Sequence, residues 1–160
     1  MLAELLGALQ DAALVGALRR SHWVYPIVNT GHIVGLALLF GAIVPLDLRL
    51  IGFWRRVPIG ALARMLLPVA IAGLLLAALT GALLFSVGAV KYASMTIFQA
   101  KLLLILAALA NALLLHRASA WVAYEAELQG TTPRLQLAGA LSIGCWLAAI
   151  FAGRMIGYLD

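Results

Sequence analysis

The chain has 160 residues, of which 65% are hydrophobic and only 11% are charged. A soluble domain is about half apolar and about a quarter charged, so this composition excludes an ordinary soluble protein and indicates that lipid is the solvent. The net charge of +5 does not indicate nucleic-acid binding, because the cations lie mostly at the ends of apolar runs, where they anchor helices at a bilayer surface.

The N-terminal segment, residues 2–18, predicts an amphipathic helix that lies in the membrane interface. Glu4, Asp11 and Arg19 follow near-heptad spacing, so they fall on one narrow stripe of a helix whose remaining surface is apolar. A segment of about 17 residues also barely reaches across a bilayer, so a fifth span is the alternative. In that alternative the arginine pair of the first loop would face outward, and we therefore favour the interfacial helix.

Four longer apolar segments predict membrane-spanning helices, since a span needs about 20 residues. They cover residues 27–53, 59–87, 96–124 and 135–158 approximately. Pro45 predicts a kink or a tilt in the first of them. The predicted fold class is all-α: a single membrane domain over residues 1–160, built as an integral membrane four-helix bundle preceded by the interfacial helix.

The cations predict the orientation of this bundle. Loops one and three, with the adjoining helix ends, hold six arginines, and the opposite side holds three cations. The six are Arg49, Arg55, Arg56, Arg64, Arg117 and Arg134, and the three are Arg19, Arg20 and Lys91. Because cytoplasmic loops carry the excess of Lys and Arg, both termini are expected on the outer side of the membrane.

Three ionisable side chains are expected at one depth in the outer half of the bundle. His32, Lys101 and Arg154 each lie about four or five residues inside the outer end of a span, which places them within one turn of one another. Thr80 and Ser86 come from the second span near that level. Two cations with no carboxylate of their own predict a site for an anion, such as a carboxylate, a phosphate headgroup or a haem propionate. Snorkelling to headgroups, or neutralisation by a carboxylate from the interface, are the alternatives.

A second polar group lies near the inner surface. Its members are Asp47, Arg49, Arg64, His116 and Arg117. A carboxylate beside several arginines predicts structural ion pairs that tie helix ends together. A proton relay between Asp47 and His116 is the alternative.

The membrane histidines raise the question of b-type haem. His32 and His116 lie on helices that run the same way, about 20 Å apart along the membrane normal, so they cannot ligate one haem within this chain. His32 can pair with Met155, and His116 with Met65, or a second subunit can supply the other ligand. A histidine that only hydrogen-bonds within the helix packing is the alternative, so haem b stays open.

Small and amide residues predict how the helices pack. Two glycine pairs match the four-residue spacing of close helix contacts: Gly31 with Gly35, and Gly153 with Gly157. We expect these glycines to pack helices together within the bundle rather than to form a homo-oligomer. Asn111, in the middle of the third span, is expected to hydrogen-bond across helices or to a backbone group freed by a proline.

No catalytic motif is present in the sequence. Walker loops, serine-nucleophile elbows, paired carboxylates and zinc-protease motifs are all missing, so we predict no independent enzymatic activity. The single cysteine, Cys145, excludes an internal disulfide and a multi-cysteine metal site, and no particular metal is predicted.

Nearly the whole chain resembles a known group of proteins. The run WVYPIVNTGHIVGLALLFG at residues 23–41, its continuation DLRLIG at 47–52, and the segment from Phe98 through Asn111 to Arg117 resemble a widespread uncharacterised family of small bacterial membrane proteins. That family looks distantly like the copper-resistance-D membrane domain and four-helix b-type cytochromes. The resemblance implies a bacterial inner-membrane location and a link to redox or copper handling. The chain departs from the cytochromes because its histidines are not paired at matching depths.

Three functional hypotheses follow. The first is a membrane module that binds an anionic or lipophilic cofactor or ligand, of haem or quinone type, in the outer cluster. The second is a non-catalytic structural or accessory subunit that contacts partner membrane or redox subunits. The third is a small transporter, which requires broken helices around a midplane site; Pro45 and Pro68 are the features that favour it.

Overall fold

The computed structural model describes residues 1–11, 15–16, 20–117 and 132–159. This described part is helical and contains no strand, which confirms the all-α fold class. Its helices, in chain order, are α1 (Leu2–Gln10), α2 (Val24–Ile51), α3 (Ile59–Val87), α4 (Ala89–Ser94), α5 (Thr96–Arg117) and α6 (Pro133–Leu159).

Four of these helices, α2, α3, α5 and α6, are long and apolar enough to cross a membrane. The chain is therefore a multi-pass membrane protein built as a four-helix bundle, as predicted. The second span has the predicted bounds, and the third begins where predicted; residues 118–124, assigned to its end, lie outside the described residues. The first span begins at Val24, so that Pro26 lies in its first turn. Proline is tolerated at this position, because the N–H groups of the first turn have no acceptor within the helix.

The end of α2 is set by a glycine rather than by the arginines that follow it. Gly52 has a φ of +120°, a backbone conformation that favours glycine, and its N–H and that of Phe53 both donate to the Leu48 carbonyl. Arg49 then donates to the carbonyl oxygens of Val57 at 2.7 Å and Arg55 at 3.1 Å. The first span consequently ends two residues earlier than the sequence predicts.

The helices pack in a ring that is open on one side. Helix α2 packs along α3 and also along α6, and α6 packs along α5. Among the described residues, α3 and α5 are not a closely packed pair. The contact between α2 and α3 is close because Gly35 meets Gly73: a Cβ on Gly73 would lie 2.5 Å from the backbone nitrogen of Leu39. The predicted role of Gly35 in packing within the bundle is thus confirmed.

The inner and middle parts of the bundle are filled with side chains. The inner core consists of Leu46, Leu50, Ile59, Ala63, Leu115, Leu135 and Ala138. The middle core consists of Leu39, Ala42, Ala70, Ala108 and Trp146. Asn111 joins α5 to α6 between them, since its side-chain nitrogen donates to the Ala138 carbonyl at 2.9 Å, the cross-helix bond that the sequence predicts.

Helix α1 contacts α4, the short helix between the second and third spans, and also α3. The backbone nitrogen of Val90 donates to the side-chain oxygen of Gln10 at 3.4 Å. We use "outer" for the end of the bundle that carries α4. The interfacial helix is predicted over residues 2–18, and α1 covers the first part of that range. Residues 12–14 and 17–19, which belong to the rest of the predicted helix, lie outside the described part of the chain.

Candidate functional site

The imidazole of His32 is held against the backbone of the neighbouring helix. Its Nδ1 lies 2.9 Å from the carbonyl oxygen of Ala77 and 3.2 Å from the hydroxyl oxygen of Thr80. A carbonyl oxygen only accepts, so Nδ1 carries the hydrogen and donates it. In the neutral ring, Nε2 then has a lone pair for a ligand. The hydroxyl of Thr80 donates in turn to the Leu76 carbonyl, which leaves its lone pairs facing Nδ1.

Lys101 on α5 points across the bundle toward α6. Its Nζ lies against Gly153, where an added Cβ would be 3.3 Å from the nitrogen. Within the part of the chain that the structure describes, this amine has neither a hydrogen-bond acceptor nor an ion-pair partner. An amine in a membrane span is energetically costly unless it is paired or reaches water. We therefore expect the Lys101 amine to be paired with a bound molecule.

Three cavities meet at His32 and Lys101, and both residues line all three. The α2–α6 cavity has a volume of about 490 Å³ and is lined in addition by Asn29, Ile33, Ala37, Trp146, Gly153 and Arg154. The α3–α5 cavity has a volume of about 410 Å³ and is lined in addition by Leu74, Ala78, Ala82, Phe98, Leu102 and Trp146. The mouth cavity, of about 190 Å³, is lined in addition by Tyr25, Asn29, Phe85, Tyr92 and Phe98.

The two larger cavities are of the size at which proteins bind small organic molecules, about 300–1,000 Å³. Their lining is apolar apart from a few polar groups, and those groups converge on His32 and Lys101. Trp146, a member of the middle core that is only 5% exposed, lines both cavities.

Arg154 occupies the rim of the α2–α6 cavity rather than its centre. Its guanidinium lies 5.0 Å from the centre of the Tyr158 ring and is 3.3 Å from the Tyr158 hydroxyl oxygen. Arg154 is exposed, whereas His32 and Lys101 are partly buried. The structure therefore brings the three residues of the predicted outer cluster to one cavity but places Arg154 at its edge.

Aromatic rings bridge the outer ends of α3 and α5. The rings of Phe85 and Phe98 stack with 5.1 Å between their centres and an angle of 10°, and Tyr92 lies 6.4 Å from Phe98. Ser86, which the sequence places near the cluster, instead donates to the Leu83 carbonyl of its own helix. Phe85 and Phe98 line both the mouth cavity and the α3–α5 cavity.

His116 is not part of this site. It lies in the last turn of α5 at the opposite end of the bundle, where its Nδ1 is 2.8 Å from the Ala112 carbonyl oxygen, and it is exposed. Met155, the partner proposed for His32 in haem ligation, does not line any of the three cavities. Among the described residues no group of three histidine, cysteine or acidic side chains is placed to hold a metal ion.

The structure gives Asp47 a different partner from the predicted arginines. It lies buried on α2 close to Ser142 of α6, and its Oδ2 has no hydrogen-bond partner in the described part of the chain. Arg49 is directed to the loop carbonyls described above. Arg64 and Arg117 are exposed, and neither forms an ion pair with a described residue.

The sequence pointed to His32 and Lys101 but missed the residues that make room for them. A Cβ on Gly81 would lie 3.0 Å from His32 Cε1, so the imidazole packs tightly against this glycine of α3. Gly153 on α6 lies in the same way against the end of the Lys101 side chain, where an added Cβ would be 3.3 Å from its Nζ. Asn29, one helical turn before His32, lines two of the cavities. The sequence does contain a signal for these glycines, since one lies on the neighbouring helix at the depth of each ionisable residue.

Comparisons of the chain with family models, with curated proteins and with solved structures returned no match. The family resemblance named from the sequence stays a prediction, and the chemistry of the site rests on its geometry.

Proposed function

We propose that this protein binds a lipophilic molecule with a hydrogen-bonding headgroup, of the quinone class, in the outer half of its bundle. The observation that carries the proposal is the pair formed by His32 and Lys101. These two polar side chains line all three cavities, and neither the Lys101 amine nor His32 Nε2 has a hydrogen-bond partner among the described residues.

The chemistry of the pair matches a quinone ring. The Lys101 amine is a donor, and it can bond to a ring carbonyl oxygen or to an anionic oxygen. The neutral imidazole, with its hydrogen committed to Ala77, offers Nε2 as an acceptor for a ring hydroxyl. The pair can therefore hold the quinol by two hydrogen bonds, one from Lys101 and one to Nε2 of His32, and the quinone by one, from Lys101 to a ring carbonyl oxygen.

The depth of the pair favours such a ring over a phospholipid headgroup. Lys101 lies five residues inside α5 and His32 eight residues inside α2, which is about 8 Å and about 12 Å from the outer helix ends. A phospholipid keeps its phosphate at the headgroup level. A small uncharged ring can instead sit below that level, among the apolar side chains that line the cavities.

Haem b is the second candidate, and the bond from Nδ1 to a backbone carbonyl favours it. Histidines that ligate metals commonly donate their second ring nitrogen to a carbonyl oxygen in this way. Against it, the residues that line the cavities provide no methionine or second histidine as the other axial ligand. An absorption spectrum of the purified protein separates the two, since a bound haem gives a Soret band that shifts on reduction.

The test is binding of a decyl-tailed benzoquinone to the detergent-purified protein, measured by equilibrium dialysis. We expect Lys101→Met to raise the Kd about tenfold or more, because a hydrogen bond from a charged group contributes about 1.5–3 kcal/mol. Lys91→Met, an exposed lysine of α4 that lines none of the three cavities, is the matched control and should bind as the unmodified protein does.

If the unmodified protein binds neither quinone nor haem, the site has no ligand of these classes. The hypothesis of an accessory subunit would then replace the binding module.

The proposed location is a bacterial inner membrane, with both termini on the periplasmic side. The arginine excess in loops one and three supports this orientation. The binding site would then open toward the periplasmic half of the bilayer.

A further inference from the structure

The two large cavities differ in their lining, and this difference indicates which part of the ligand each cavity holds. We infer that the quinone ring occupies the α2–α6 cavity and that its apolar tail passes His32 and Lys101 and leaves the protein sideways between α3 and α5. This inference rests on the proposed function and goes further by naming the class of ligand, a ring with a long apolar tail, and its path.

The α3–α5 cavity is suited to a tail because it is apolar except at His32 and Lys101. It exists because α3 and α5 do not pack closely below the Phe85–Phe98 stack. Ala78 and Ala82 on α3 and Leu102 on α5 line it and are exposed at the surface. In a bilayer that surface faces lipid, so the cavity opens directly into the acyl chains.

The α2–α6 cavity is suited to the ring because it adds polar groups at its outer rim. Asn29 and Arg154 line it together with His32 and Lys101, so polar side chains from α2, α5 and α6 meet there. Both rim residues are exposed. A ring bound at this end therefore meets two further polar side chains, Asn29 and Arg154, which the α3–α5 cavity does not provide.

Two exposed alanines test the assignment, because each lines only one of the large cavities. Ala78→Trp fills the α3–α5 cavity and Ala37→Trp fills the α2–α6 cavity, and neither alanine is buried. Ala72→Trp is the matched control, since Ala72 is exposed on α3 and lines none of the three cavities. The probes are a decyl-tailed benzoquinone and the same ring without the tail.

We expect Ala78→Trp to weaken binding of the tailed probe about tenfold or more and to leave binding of the tailless probe within about twofold, since each buried CH₂ contributes about 0.8 kcal/mol. Ala37→Trp should weaken both probes, and Ala72→Trp neither. If Ala78→Trp does not fold, Ala82→Phe, one turn further along the same cavity, gives the same test.

The outcomes separate this inference from the proposed function. Equal binding of the tailed probe by Ala78→Trp and by Ala72→Trp overturns the tail path while quinone binding stands. Loss of only the tailed probe in Ala37→Trp reverses the direction and also overturns it. Failure of the unmodified protein to bind either probe overturns the proposed function itself.

Discussion

Nδ1 of His32 on α2 lies 2.9 Å from the carbonyl oxygen of Ala77 on α3, beside a close contact between the two helix backbones. A Cβ on Gly35 would lie 2.6 Å from the backbone nitrogen of the same alanine. The orientation of the imidazole therefore depends on a helix contact that only glycines permit. Any substitution that separates α2 from α3 should disturb both the stability of the bundle and the site.

The first prediction concerns this contact. Gly73→Ala should lower the free energy of unfolding by about 1–3 kcal/mol, because its Cβ would lie 2.5 Å from backbone that cannot move aside without separating the helices. Gly41→Ala on the exposed side of α2 is the control, since nothing lies within 4 Å of its added Cβ. Thermal unfolding in detergent measures both variants. Equal melting temperatures would mean that the glycine contact does not hold the helices together.

The second prediction separates the stability of the bundle from ligand binding. Asn111→Leu removes the bond to the Ala138 carbonyl and should cost about 0.6–1.7 kcal/mol, the range for hydrogen bonds between membrane helices. Asn29→Leu changes a rim residue that makes no hydrogen bond to a described residue, so it should weaken quinone binding but not thermal stability. A loss of stability in Asn29→Leu alone would contradict this division.

The third prediction concerns Asp47, for which sequence and structure give opposite expectations. Breaking a buried ion pair costs about 3–5 kcal/mol, and that is the loss expected in Asp47→Asn if the carboxylate is paired with arginines. The structure instead places it near Ser142 of α6 and leaves Oδ2 without a hydrogen-bond partner among the described residues. We therefore expect Asp47→Asn to lose no more than about 1 kcal/mol, which is about 2–4 °C in a chain of this size.

Ser142→Ala is the complementary variant. It should cost about 1–3 kcal/mol, because it removes a hydroxyl that lies near a buried carboxyl group. Glu4→Gln, at an exposed position in α1, should leave the melting temperature unchanged. A large loss in Asp47→Asn together with no loss in Ser142→Ala would restore the ion-pair hypothesis.

The fourth prediction concerns orientation. Alkaline phosphatase fused after the last residue should be active in a bacterial host, because the enzyme folds only outside the cytoplasm and the arginine excess places the C-terminus there. A fluorescent protein that folds only in the cytoplasm, fused at the same place, should stay dark. The reverse pattern would place the candidate site in the cytoplasmic half of the membrane.

The amino-acid sequence by itself determined that this is a membrane protein with four spans, because apolar runs of about 20 residues have no other stable solvent than lipid. It also determined which ionisable residues share a depth, since the rise along a helix is constant, and it correctly placed His32, Lys101 and Arg154 at one end of the bundle. Helix ends were less certain, as the glycine that terminates α2 shows.

The tertiary structure alone decided which side chains meet. Depth is a property of one helix, but the partner of a side chain depends on how neighbouring helices rotate and how closely they approach. Asp47 faces Ser142 because Gly139 brings α6 against the backbone of Asp47, where an added Cβ would lie 2.7 Å from its carbonyl oxygen. Likewise the α3–α5 cavity exists because α3 and α5 are not packed together, a property of the ring of helices that no single segment encodes.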